Sequence, residues 1–413
     1  MNVIVAGLIG QYPIGGVTWD YVQYALGLGE LGHDVTYLED SEQWPYNPSD
    51  WAIGRDARFN AEYLERTLAR FGLADRWAYR FPGGVLPTGE TIAERWYGLS
   101  DARRKSAVER ADVLINVSSG IGDPTRYRTV PRLVYVDTDP VFTQIRAVQD
   151  EQFRAHLDAH DMHFTYGECL SDAVPVTGHN WRAMRKPIAI RHWRTSAARG
   201  AAFTTVMNWT SYENVAWNGR RYGQKDEEFA RFIDLPSRVR PTVLEVAVAS
   251  KAPDRPAPAW VRRPPSDLLR RNGWRLVEPM EICGDAGGYR RYIESSRGEW
   301  TVAKNAYVLG RSGWFSGRTA CYLAAGRPVV VQDTGFGGVI PTGQGVVTFR
   351  DVDEAVEGIR QVEADWPRHS KAARAIAEEY FDARKMVGRL IDRDAAATAH
   401  AAVPAVAAGA RPV

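Results

Sequence analysis

Three cysteines in 413 residues, Cys169, Cys283 and Cys321, are too few and too scattered for a disulfide framework or a zinc site, and they suit a reducing compartment. No apolar run approaches the ~20 residues that span a bilayer, and the N-terminus lacks the basic start of a secretion signal. The chain is therefore expected in the cytoplasm, with no membrane span. Excess charge is missing too. The 52 basic and 50 acidic residues leave a net charge of +2, and no basic block tracks a nucleic-acid backbone, although Arg262-Arg263 and Arg270-Arg271 are local pairs. Nucleic acid is not an expected partner. HExxH, CxxC pairs, GxSxG and acidic triplets with metal spacing are absent, so neither a metal nor a serine nucleophile is expected.

What is present is strand and helix in alternation. A chain of this length exceeds one ordinary core, which points to two α/β domains of about 200 residues each. Asn2 to Gly7 reads as a buried strand, Asp20 to Leu31 as a helix and His33 to Asp40 as the next strand, a βαβ opening that implies a parallel sheet. Further strands are expected at Val113–Val117, Arg132–Val136, His163–Tyr166 and Pro187–Ile190, with a helix from Asp56 to Phe71. Thr195 to Ala202 reads as a linker. The second half restarts with a strand at Phe203–Trp209, a helix at Gln224–Ile233 and strands at Val243–Ala249 and Trp274–Val277, and Glu299 to Lys304 leads to the segment at Gly310. Asp351–Glu363 and Trp366–Ile391 read as helices, and the Ala-rich residues 395–413 as a disordered tail.

The segment from Gly310 to Gly335 is the most informative. After Trp314-Phe315, a helix opens at Ser316-Gly317-Arg318, where unpaired first-turn amides and the helix dipole favour an anion. Gly326-Arg327-Pro328 stops it. Val329-Val330-Val331 follows without alternation, as in a parallel strand covered on both faces, and delivers Gln332-Asp333-Thr334-Gly335 to a crevice. This order of parts resembles the donor-binding region of GT-B glycosyltransferases, of the actinobacterial natural-product type and, by overall likeness alone, the lincosamide-type S-glycosyltransferases. The resemblance implies an α/β fold of two Rossmann-like parallel-sheet domains facing across a cleft. Residues 1–196 would take the acceptor and 197–370 the nucleotide-sugar donor, with 371–394 a helix returning to the first domain. One part departs from the pattern: Cys321 stands where many retaining members carry a ribose-binding glutamate.

Donor contacts are expected from Gly15 and Gly16 in the loop before the first helix, and from Trp314, Phe315, Ser316, Gly317, Arg318, Asp333 and Thr334. The polar run Asn218 to Glu228 offers Arg220, Arg221 and Lys225 to neutralise a leaving diphosphate. Asp137 and Asp139 at a strand end and His179 on a polar loop are the candidates for activating or binding an acceptor. The expected activity is metal-independent transfer of a sugar from a nucleoside-diphosphate sugar, as co-substrate and without other cofactor, to a small-molecule acceptor, with a thiol among the possibilities. Guanosine, uridine and thymidine donors, and a homodimer, stay open. The rivals are a nucleotide-sugar 2-epimerase, a noncatalytic nucleotide-sugar sensor and a dinucleotide-dependent oxidoreductase. The last draws on Glu39-Asp40 at the end of the second strand, but the loop Gly7 to Gly16 lacks GxGxxG.

Overall fold

The computed structural model describes residues 1–49, 52–86, 88–249 and 258–392; the expected tail at 395–413 lies outside them. The first sheet contains β1 (Asn2–Ala6), β2 (Asp34–Glu39), β3 (Trp77–Phe81), β4 (Arg95–Gly98), β5 (Val113–Val117), β6 (Leu133–Asp137), β7 (Met162–Thr165) and β8 (Trp181–Ala183). Their order is β8-β7-β6-β5-β1-β2-β3-β4, parallel except for β4 against β3. The second sheet contains β9 (Ala202–Val206), β10 (Val243–Ala247), β11 (Arg275–Val277), β12 (Gly298–Thr301), β13 (Val329–Gln332) and β14 (Val346–Phe349), ordered β11-β10-β9-β12-β13-β14. Its pairings are all parallel. Parallel strands are covered on both faces, which is why β5 and β13 are buried along their whole length.

Each sheet places its first strand in the middle. The strand order reverses between β1 and β5, and again between β9 and β12. Loops leaving the C-terminal ends of these strands part in opposite directions and leave a crevice for a ligand.

Five helices position that crevice: α1 (Gly15–Glu30), α2 (Ala286–Ser295), α3 (Gly317–Ala324), α4 (Trp366–Tyr380) and α5 (Ala383–Ile391). A hydrophobic cluster runs through α1, α2, α3 and α5, so the largest core is shared between the halves. A second cluster stays within the second sheet, where Trp300 is 1% exposed and stacks 5.5 Å from Phe349. Burying one such side chain contributes about 1.5–3 kcal/mol.

Three expectations need correction. Pro187–Ile190 is not a strand; the sheet ends at β8, and Ile188 makes only an isolated bridge to Asp382 before a 3-10 turn at Ile190–His192. The helix read from Trp366 to Ile391 is two, because Phe381 is fully buried and the Asp382 side chain caps α5 by accepting from the Arg384 amide. The α5 segment packs on α1, where a Cβ on Gly27 would lie 2.8 Å from that of Ala383. The polar run at 218–228 begins as an antiparallel hairpin, Val215–Trp217 with Arg220–Tyr222, whose turn residues Asn218 and Gly219 both have positive φ.

His156, His160, His163 and His179 line up beside β6 and β7, with successive ring centroids 5.3, 6.4 and 4.6 Å apart. His160 hydrogen-bonds through Nδ1 to the His156 carbonyl and through Nε2 to the Asn116 amide. Burial, and then the neighbouring histidines, push its pKa from 6.5 down to about 3. The unfolded chain therefore takes up a proton that the folded chain refuses. Stability from this site is complete above the unfolded value and falls as pH drops through the window below it. Thermal unfolding should show a Tm that decreases from neutral to mildly acidic pH, with a shallower decrease in His160→Gln; parallel slopes would remove His160 as the cause.

Candidate active site

The loops after β1, β5, β9 and β12 face one another across an interdomain cleft with a cavity of about 330 Å3. The first half lines it with Gly16, Asp20, Tyr21, Ser118, Thr138 and Lys186, and the second with Asn208, Lys225, Lys304, Ser316 and Arg318 among others. Both strand-order reversals thus open onto one space.

A polar clasp holds the two walls together. Asp139, two residues past β6, accepts from Lys304 Nζ at 2.6 Å and from the Tyr212 hydroxyl at 2.9 Å, and the Tyr307 hydroxyl donates to the same oxygen. Enclosure alone would raise the Asp139 pKa; Lys304 and these donors bring it below the usual carboxylate range. Trp314 stacks on Tyr307 with centroids 4.3 Å apart and donates its indole N–H to the Thr138 carbonyl. Asp137 is instead a support for the turn. It is 1% exposed and accepts from Thr143, Gln144, Thr165 and the Asp139 amide, with burial still raising its pKa.

Cations in the cleft divide by their partners. Lys186 pairs with Asp20 at 3.1 Å and is only 2% exposed. Arg318 is fully engaged inward, donating to Glu299, to the Val206 carbonyl at 2.6 Å and to Thr301 at 2.8 Å. Lys225 differs: it has no hydrogen bond or ion pair among the described residues. Burial, and then the nearby Arg318 and Lys304, lower its pKa well below the ordinary lysine range. Beside it α3 begins, with Ser316 at the N-cap making no side-chain cap, so the first-turn amides keep their capacity for an anion.

Of the expected donor residues, Gly16, Lys225, Trp314, Ser316, Gly317 and Arg318 come together in this cleft. Gly15 is glycine for packing, since a Cβ there would lie 2.1 Å from the Asp285 carbonyl oxygen across the domain boundary. Phe315 is core, edge-on to Phe336 at 4.9 Å and tilted on Phe381 at 5.1 Å. Asp333 accepts from the Gly335 amide, and Thr334 donates to the Trp314 carbonyl, so both brace the loop from behind. Arg220 and Arg221 are exposed on the hairpin, where Arg221 pairs with Glu227 at 3.1 Å. His179 lines neither the cleft nor the cavity beside it; its Nε2 lies 2.8 Å from Asp158. Asp20, Lys186 and Lys304 were missed. Lys304 lies just past β12, a strand not read from the sequence, and its place at a strand end is the signal that could have found it; Lys186 sits in irregular chain, which carries no such signal.

Glu39 bears on the dinucleotide rival. It is fully buried and accepts from the Gly10 and Gln11 amides and the Tyr37 hydroxyl, so it faces the loop, where it is spent, and offers no carboxylate to a ribose. Asp40 is likewise buried against Arg80.

By sequence the chain matches no protein-family model and none of the curated proteins. By structure it is similar to HepE of Anabaena in complex with UDP, with a TM-score of 0.54 at 12% identity over 94% of this chain and 98% of that one. It is also similar to a sucrose-phosphate synthase from Thermosynechococcus elongatus, with a TM-score of 0.52 at 11% identity over 94% and 96%. These likenesses fix the fold as GT-B.

The pairing pattern separates two cleft cations by their effect on stability. Arg318→Ala strands Glu299, whose side chain is 0% exposed, and removing one partner of such a pair typically costs about 3–5 kcal/mol. Lys225→Met removes a partially desolvated group with no hydrogen bond or ion pair among the described residues and should leave stability equal or higher. Urea unfolding of both variants checks this; equal losses would mean Lys225 is compensated.

Proposed function

We propose that this chain transfers a glycosyl group from a nucleoside-diphosphate sugar to a small-molecule acceptor in the cleft between its two domains. The observation that carries the reading is Lys225, a half-buried side chain with no hydrogen bond or ion pair among the described residues, set beside the uncapped start of α3. A diphosphate supplies the missing negative charge, accepts the α3 amides, and gains charge as it leaves the sugar. Fixed cations and amide dipoles stabilise that developing charge most where water is excluded. The GT-B fold and the similarity to HepE in complex with UDP support a nucleotide-sugar donor, with UDP the first probe.

In this reading the second domain holds the donor through Lys225, Ser316 and Gly317, and Arg318 shapes the site by keeping Glu299 out of it. Lys304 is engaged by Asp139 and holds the walls at their working distance. The positive charge needed at the leaving group comes from the chain, so turnover would not depend on a divalent ion. The acceptor lies on the first-domain side, where Ser118, Thr138 and Asp139 form the rim. Cys169, Cys283 and Cys321 are all free, as in an enzyme working in the cytoplasm.

Isothermal calorimetry with UDP tests this directly. UDP should bind the wild type equally with and without EDTA, and Lys225→Met should weaken it by roughly ten-fold or more, since a hydrogen bond to a charged group contributes about 1.5–3 kcal/mol. No UDP binding, or binding only with magnesium or manganese, contradicts the proposal.

A further inference from the structure

A second cavity, of about 460 Å3, opens in the first domain next to the cleft. Ser118, Thr138 and Asp139 line both spaces, so a molecule seated in the second reaches the first across that rim. Its walls are largely aromatic. Tyr135, Phe142 and Phe153 are at most 8% exposed, Phe142 meets Tyr212 edge-on at 4.8 Å, and Val215 of the hairpin closes one side.

Charge in this cavity is compensated. Arg146 lies 4.2 Å from the Phe153 ring and donates to Asp150 at 3.1 Å. Asp139 holds Lys304, and Asp137 is saturated by its four donors. The remaining ionisable group on the lining is Glu213, an exposed carboxylate with no partner among the described residues. A phosphate or carboxylate on the ligand would have to compete with Asp150 for Arg146 and would face Glu213.

The polar end of the cavity is built from neutral hydroxyls. Ser118 and Thr138 hydroxyls lie 2.5 Å apart, and Ser119 Oγ lies 3.3 Å from both Tyr135 and His156 Nε2. His156 Nδ1 is 3.1 Å from the Gly122 carbonyl, which can only accept; the proton is therefore on Nδ1 and Nε2 is an acceptor. Burial lowers the His156 pKa and keeps this neutral form. Ser119 then donates to His156 and accepts from Tyr135, which leaves its oxygen one lone pair for a ligand that brings its own proton. Ser118 and Ser119 both have positive φ, a conformation uncommon for residues other than glycine, and it sets the two hydroxyls at the strand end.

We propose that this cavity takes the acceptor, and that the acceptor is an uncharged alcohol or phenol with a flat apolar body, not a phosphorylated or carboxylated molecule. The inference rests on the transfer reading above for the word acceptor; the chemistry of the cavity stands apart from it. The apolar body lies among Phe142, Phe153 and Tyr212, and the hydroxyl is held by Ser119 at the end nearest the cleft.

Calorimetry on the full chain, with and without UDP, distinguishes the two statements using 2-naphthol, 2-naphthoate and fructose 6-phosphate as probes. 2-Naphthol should bind about ten-fold or more tightly than either anion, because an unpaired charge pays for desolvation in such a cavity. Val215→Trp, which fills the space, should weaken 2-naphthol without changing UDP affinity, and Ser119→Ala should narrow the gap between 2-naphthol and 2-naphthoate. Either anion binding more tightly than 2-naphthol overturns the assignment, as does 2-naphthol affinity unchanged in both variants. Absence of UDP binding would instead sink the transfer reading, while the titrations without UDP still decide the cavity's chemistry.

Discussion

The contact between Asp139 and Lys304 governs how the two halves of the molecule meet. One residue lies just past β6 and the other just past β12, so joining them sets the C-terminal edges of both sheets face to face. A lone ion pair of this kind, with Asp139 partly open to solvent, contributes little stability. Its geometry is nevertheless tightly specified, because Tyr212 and Tyr307 share the same carboxylate oxygen and Trp314 stacks on Tyr307 while holding the Thr138 carbonyl. The clasp therefore acts on position more than on energy. It fixes the width of the cleft and the rim that the two cavities share.

Charge compensation then sorts the two spaces. In the cleft, Lys186, Lys304 and Arg318 each have a carboxylate, and Lys225 has none among the described residues, so the local balance leaves one basic group seeking a partner. In the neighbouring cavity Arg146 is matched by Asp150, and two acids have no cation among the described residues, Asp137, which neutral donors saturate, and the exposed Glu213. An anionic molecule and a neutral apolar one are thereby directed to different sides of the same rim. This arrangement suits a reaction in which a charged leaving group must stay on one wall while an uncharged nucleophile approaches from the other.

Much of the framework was legible along the chain. Val113–Val117 and Val329–Val331 read as buried parallel strands because nothing polar interrupts them, and the opening βαβ unit follows from apolar spacing and the Gly-containing turn. The strand β3 escaped notice because Arg80 interrupts its apolar run; that charge is tolerated only because Asp40, Glu42 and Glu94 gather around it from distant parts of the chain. The hairpin at 215–222 carried a local signal in Asn218-Gly219, overshadowed by its run of basic residues. The split at Phe381-Asp382 left the apolar helical period almost undisturbed, so only the packing of α5 on α1 and the bridge to Ile188 reveal it.

The sequence by itself determined the helix, turn and strand at Gly310 to Gly335, the anion-favouring start of α3, and the near-even balance of charge. These are properties of near neighbours and of composition. Which cations are free was decided by tertiary structure alone. Arg318, Arg221 and Lys225 look alike as positive residues near strand ends, yet Arg318 is consumed by Glu299, Arg221 by Glu227, and Lys225 by nothing among the described residues. Compensation depends on distances of a few ångströms between side chains brought together by sheet order and domain contact, and those distances do not exist until the chain has folded.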